Sequence, residues 1–225
     1  GFLDLSDEPL ALNATTGSFQ LLGGSIENGT VTAADGTGLA VPAFSAGFLD
    51  AVTLASDIQL QDGAALFVTD GLALSGGAKV IFAGDIGGAL HFNGTQTLAG
   101  NGEVIFGGTA NSHAIFSQGD GTQSSAAILT IGPGITVRGS QSGFIGGSLD
   151  FDGVINQGTI IAEGAGNVII LEDFGQTSGE LRLAGGSFNA TSTVFLEGGE
   201  LTGAGVFSGT LQNDGGQVRP SGRIT

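Results

Sequence analysis

Hydrophobic and polar residues alternate in short bursts along this chain, and the clearest is Ile128–Gly139, ILTIGPGITVRG. Leu129, Ile131, Ile135 and Val137 share one parity, while Thr130, Thr136 and Arg138 share the other. Side chains alternate across a strand, so the pattern predicts two short strands, each with an apolar inner face and a polar outer face. Gly132-Pro133-Gly134 between them is a corner that neither helix nor strand carries through. Strand, corner, strand with parity kept across the bend is the unit of a coil wound around an apolar core.

The same reading extends along the chain. Val52-Thr-Leu54, Ile58-Gln-Leu60, Leu72-Ala-Leu74, Val104-Ile-Phe106, Leu149-Asp-Phe151 and Leu181-Arg-Leu183 are short alternating strands, most closed by Gly, Asn or Asp. Phe48–Asp62 is a long run without glycine, but its apolar residues pair as 52/54 and 58/60, a period of two, which predicts strands rather than a helix. Asn167-Val-Ile-Ile-Leu171 is apolar after its first residue, as expected of a strand covered on both faces. A glycine pair flanked by strand ends recurs at Leu21–Ile26, Leu74–Val80, Phe144–Leu149, Leu183–Phe188 and Leu196–Leu201, and predicts turns that need positive φ or close backbone approach.

An antiparallel sandwich or barrel also uses many short strands. Here the strands are too short for ordinary hairpins, Asn-Gly pairs between long strands are rare, and the pattern drifts without a break. The expectation is therefore an all-β chain folded as a parallel β-helix, a β-solenoid. Coils of roughly 20 residues give about ten irregular coils stacking at ~4.8 Å each, a rod ~50 Å long. No linker or shift in composition divides it, so residues 21–225 read as one β-helical domain. Residues 1–20 read as an N-terminal extended strand or cap, with Ser6-Asp7-Glu8-Pro9 compatible with either a short capped helix or an extended segment.

Composition narrows the picture further. Glycine accounts for 44 of 225 residues without a three-residue period, and proline for only 4, which excludes collagen. A hydrophobic share of 40% argues against disorder. Cys, Met, Trp and Tyr are absent, so there is no disulfide framework, thiolate metal site or cysteine nucleophile. No apolar run is long enough to cross a bilayer as a helix. With 21 acidic and 5 basic residues the formal charge is −16, which repels phosphate backbones and anionic lipid. The chain starts at Gly1 without a signal peptide, so the expectation is that any targeting segment was removed or lies outside this stretch.

Leu98-Ala-Gly-Asn-Gly-Glu-Val-Ile-Phe106, Ile128–Gly139 and Ile155-Asn-Gln-Gly-Thr-Ile160 resemble the coils of large bacterial exoproteins, the autotransporter passengers and filamentous-haemagglutinin-like proteins. The stretch Leu201–Pro220 resembles the passenger-associated repeat of autotransporters, although Ser221 stands where that phrase has glycine. The likeness covers most of the chain. It implies a right-handed parallel β-helix of pectin-lyase-like type, secreted or displayed on a bacterial surface, with no catalytic residue. It also implies that the pattern continues past Thr225, in a larger protein or a unit that stacks on another.

Candidate chemistry is sparse. A polysaccharide lyase needs a base and cations beside a uronate, yet Lys79, Arg138, Arg182, Arg219 and Arg223 are scattered along the sequence. A glycoside hydrolase needs paired carboxylates. Asp150 and Asp152 in Leu-Asp-Phe-Asp-Gly would share an outer face ~6.5–7 Å apart, with Leu149 and Phe151 turned inward. His91 and His113 have no partner at metal-ligand spacing. Asp35-Gly-Thr-Gly38 and Gly119-Asp-Gly-Thr122 are weak calcium-loop phrases that turn chemistry explains equally well. Asn13, Asn28, Asn93 and Asn189 sit in sequons expected by chance.

No catalytic, cofactor-binding or metal residue is assigned, and calcium is the one weak cofactor prospect. The expected function is a non-enzymatic structural or adhesive solenoid: a rod, a passenger or a stacking filament subunit. The alternatives are a carbohydrate-active enzyme and a glycan- or calcium-binding module. Expected partners are further copies end to end, neighbouring modules of a larger exoprotein, a glycan, or a host or abiotic surface, but not nucleic acid.

Overall fold

The computed structural model describes residues 1–224, and all 24 of its strands belong to one sheet joined by parallel pairings. It is a three-faced parallel β-solenoid of about nine turns. Face A stacks Phe2–Asp4, Ser25–Glu27, the start of Ala46–Ala55, the start of Ala65–Phe82, Ala89–Asn93, His113–Gln118, Gly143–Gly147, Val168–Leu171, the end of Glu180–Ala190 and the end of Glu200–Ser208. Faces B and C follow in each turn, so each face holds ten rungs separated by nine steps. The one helical turn among the described residues is the 3-10 segment Gln123–Ser125.

The apolar parity of the sequence becomes a set of inner columns. On face C, Leu39, Ile58, Val80, Val104, Val137, Ile160, Leu181 and Leu201 lie directly above one another, and all are buried. On face B the column runs Val52, Leu72, Leu98, Ile131, and continues through Asn156 and Gln176 to Leu196. Leu129, Ile131, Ile135 and Val137 all point inward, and Pro133 occupies the corner between their two strands, Ile128–Ile131 and Ile135–Gly139. Ala46–Ala55 and Ile58–Leu60 confirm that the run from Phe48 to Asp62 is extended.

Four of the five glycine pairs carry a positive φ, as at Gly76 (65°) and Gly77 (79°). The pair Gly146-Gly147 does not; it lies within a strand, where a Cβ on Gly146 would come within 2.7 Å of the Glu172 carbonyl oxygen. A second role for glycine is visible only in three dimensions. At the corner between faces B and C, a Cβ on Gly134 would strike the carbonyl oxygen of Gly100, one on Gly179 that of Gly158, and one on Gly199 that of Gly179. Backbone rests on backbone there, turn after turn, with no room for a side chain.

One local expectation is corrected, at Val168–Leu171, and of the two structures compatible with Ser6–Pro9 the chain does not take the helix. Ser6–Glu8 form a bend, not a helical turn, because Asp4 accepts hydrogen bonds from the Ser6 amide and hydroxyl and holds the chain in an Asx-type turn. Residues 2–20 already supply strands of the first rung, pairing with the second. Val168–Leu171 is not covered on both faces: Ile169 and Leu171 are buried, but Val168 and Ile170 are partly exposed on the outer side of face A.

Candidate functional site

The acidic pair expected to share an outer face does not form. Leu149 and Phe151 are 43% and 56% exposed, whereas Asp152 is 1% exposed. Parity is inverted because Leu149–Asp152 is a tight turn, closed by the Asp152 amide donating to the Leu149 carbonyl at 3.2 Å. The Asp152 carboxylate is engaged on both oxygens, accepting from the Ala127 amide at 2.9 Å and the Gly119 amide at 2.8 Å. It ties three backbone segments of successive turns together and is not presented to solvent beside Asp150.

Inverting that turn creates a surface feature instead. Phe151 is placed outward at φ 71°, in the left-handed region that bulky side chains rarely adopt. With Phe195, Ile128 and Ile155 it walls a groove of about 490 Å³ at the corner between faces A and B. Gly175 lies on the groove floor, where a Cβ would meet nothing within 4 Å, so the slot stays open. Asp173, itself at φ 47°, stands at the rim, its amide donating to the Ser192 hydroxyl at 2.7 Å. The arrangement offers apolar ring surface, a carboxylate and hydroxyls in one concavity. The sequence signal that marks it is Phe-Asp-Gly at 151–153, a turn phrase read as strand.

The basic residues, scattered in sequence, are gathered in space. Lys79, Arg138, Arg182 and Arg219 all project from face C, and each is paired with a glutamate. Glu103 is the centre: Arg138 donates to it through Nε at 3.1 Å and Nη2 at 3.0 Å, and Lys79 approaches to 3.7 Å. The Arg138 hydrogen bond holds the Glu103 carboxyl below its ordinary value. Four cations and the four partners Glu103, Glu163, Glu180 and Glu200 cancel, so the −16 resides on the rest of the chain. The side chain of Arg223 lies outside the described residues.

Neither histidine is near a metal-ligand set, and among the described residues no group of three or more His, Asp or Glu is placed to hold a metal ion. His113 is buried, its Nδ1 accepting from the Gly88 amide at 3.3 Å and its Nε2–H donating to the Gly107 carbonyl at 2.9 Å. Burial pushes its pKa down, and the bond to Gly107 opposes this in part. His91 points outward on face A within a ladder of rings: Phe48, Phe67, His91, Phe116 and Phe144, with centroids 4.7–5.3 Å apart. The calcium-loop phrases serve turns. Asp120 accepts from the Thr122 amide and from the hydroxyls of Thr122 and Ser125, and Asp35 accepts from the Ala14 amide at 3.3 Å.

No protein-family model, curated protein or solved structure matches this chain.

Proposed function

We propose that this chain is a non-enzymatic structural or adhesive solenoid, secreted or displayed at a bacterial surface. It would act there as a stiff spacer that holds neighbouring modules apart or stacks with further copies end to end. The observation that carries this reading is the continuity of the inner columns through the turns, set beside side chains whose chemistry is spent on the fold. Asp152 ties turns together, His113 is locked between two backbone groups, and the face C cations are paired. The resemblance to autotransporter passengers and filamentous-haemagglutinin-like coils supports the same role and location. Electron microscopy of the purified protein tests it: discrete rods ~50 Å long fit a spacer and long fibres a filament subunit. Turnover of a polysaccharide in a glycan-degradation screen would remove the non-enzymatic reading.

A glycan-binding module is the second reading, and the groove between Phe151 and Phe195 favours it. Exposed rings stack on the apolar faces of sugars while a rim carboxylate and hydroxyls bond their hydroxyl groups. Calorimetric titration against oligosaccharides tests it, with loss of heat in Phe195→Ala expected and unchanged heat contradicting this site.

A further inference from the structure

Face A carries no charge over most of its length, and neither do the strands of face B; what sets face A apart is its relief. From Ala65 to Ser208 none of its outward strand positions holds Asp, Glu, Lys or Arg, on a chain of formal charge −16. Two adjacent columns give it relief. The ring ladder from Phe48 to Phe144 forms a ridge, stacked as far as Phe116 and tilted by 40° at Phe144. Beside it Ala46, Ala65, Ala89 and Ala114 stand one above another and leave a shallow furrow. Further along, Val168 and Ile170 continue the apolar character.

We propose that face A is a lateral docking surface for a second copy of this chain, the aromatic ridge of each copy seated in the alanine furrow of the other. Three observations favour a copy over other occupants. Ridge and furrow lie side by side on one face, so a two-fold axis makes the surface complementary to itself. Both partners then have the same rung spacing, so ring and furrow stay in step along the rod, which a partner of another repeat would not do. Charge excludes the corners, where unpaired carboxylates of two copies repel, and face B, equally free of charge on its strands, lacks the ridge of stacked rings. Face C is neutral, but docking there would strip water from ion pairs that are already satisfied within one chain. Ridge and furrow interlock over four rungs, and the apolar rungs of Phe144 and Ile170 that follow in the alanine column extend the contact to six. At ~4.8 Å per rung by five residues of ~3.3 Å these bury ~500 Å² per partner, about 1,000 Å² in all, where specific interfaces begin. This surface does not depend on the exterior role proposed above.

Sedimentation equilibrium of the purified chain tests the proposal, in low and high salt. The expected result is a closed equilibrium between 22.1 kDa and twice that mass, tightening as salt screens the repulsion between copies. Ala89→Glu places a carboxylate in the furrow and should weaken the dimer at least tenfold. Ala11→Glu adds the same charge on the outer side of face B and should leave the dimer within about threefold of the parent. Circular dichroism of both variants confirms the fold. The proposal is overturned by a chain that stays monomeric up to ~100 μM, by open-ended growth indifferent to Ala89→Glu, or by equal weakening in the two variants.

Discussion

Asn156 and Gln176 lie one above the other in the inner column of face B, the Asn156 amide nitrogen donating to the Gln176 side-chain oxygen at 2.6 Å. Both are fully buried between Ile131 and Leu196. Their roles are unequal. Asn156 also bonds both the amide and the carbonyl of Gly158, fixing the corner that follows, whereas Gln176 Nε2 finds no partner.

That inequality predicts opposite tolerances. Asn156→Leu leaves the Gly158 amide and the Gln176 side-chain oxygen without partners, while the Gly158 carbonyl keeps the Glu180 amide, and should cost ~2–4 kcal/mol. Gln176→Leu removes one orphaned donor and leaves one Asn156 N–H without its acceptor while extending the apolar column, so its unfolding free energy should fall within ~1 kcal/mol of the parent or above it. Chemical denaturation of the two variants checks the order.

The glycine stack predicts a steep local penalty. Gly179→Ala directs a methyl onto the Gly158 carbonyl from a residue at φ 71° and should cost at least ~2 kcal/mol. Gly175→Ala meets open space and should change stability by no more than ~0.5 kcal/mol. Melting temperatures that coincide for the two would contradict the stacked-backbone corner.

Titration of His113 has a defined sign. Its pKa is lowered in the folded chain, so as pH falls the unfolded chain takes up the proton first, near 6.5. The stability linked to neutral His113 is therefore present above that pH and is lost as pH falls below it. The ring should titrate below 6.5 by NMR, and the outward His91, lowered by its own partial burial, should do likewise. A midpoint above 6.5 for His113 would contradict burial as the dominant influence on the ring.

Glu103 shows how little a well-formed surface pair contributes. Glu103→Gln should cost about 0.5–1 kcal/mol in low salt and less in high salt, because the cluster is partly exposed and screened. Its carboxyl pKa is lowered by Arg138, so this increment is held above the ordinary value of 4.5 and lost as pH falls through the lowered one.

The strand pattern was legible because parity is a local property: Leu129 to Val137 reads inward and is inward. Leu149-Asp-Phe151 has the same alternation but the opposite outcome. What decides it is the Asp152 carboxylate, which caps amides 33 and 25 residues away, and no local window contains those partners. The face C cations and the face A ring ladder were hidden for a related reason. Turns differ in length, so residues at 48, 67, 91 and 116 form one column, joined by the Phe144 ring reaching over Gly146 from the next column, without forming a sequence repeat. The groove was missed along with the Phe151 turn that builds it.

The central claim, that distance along the rod is set by turn number and not by sequence separation, is open to one direct measurement. The chain has no cysteine, so spin labels can be placed at chosen pairs on the outer side of face C. Gln59 and Ile105 are two rungs apart, and Gln59 and Arg182 are five. Pulsed electron resonance should give backbone separations of ~10 Å and ~24 Å, a constant ~4.8 Å per rung. Separations that fail to grow in that ratio, as in facing sheets joined by hairpins, would contradict the solenoid.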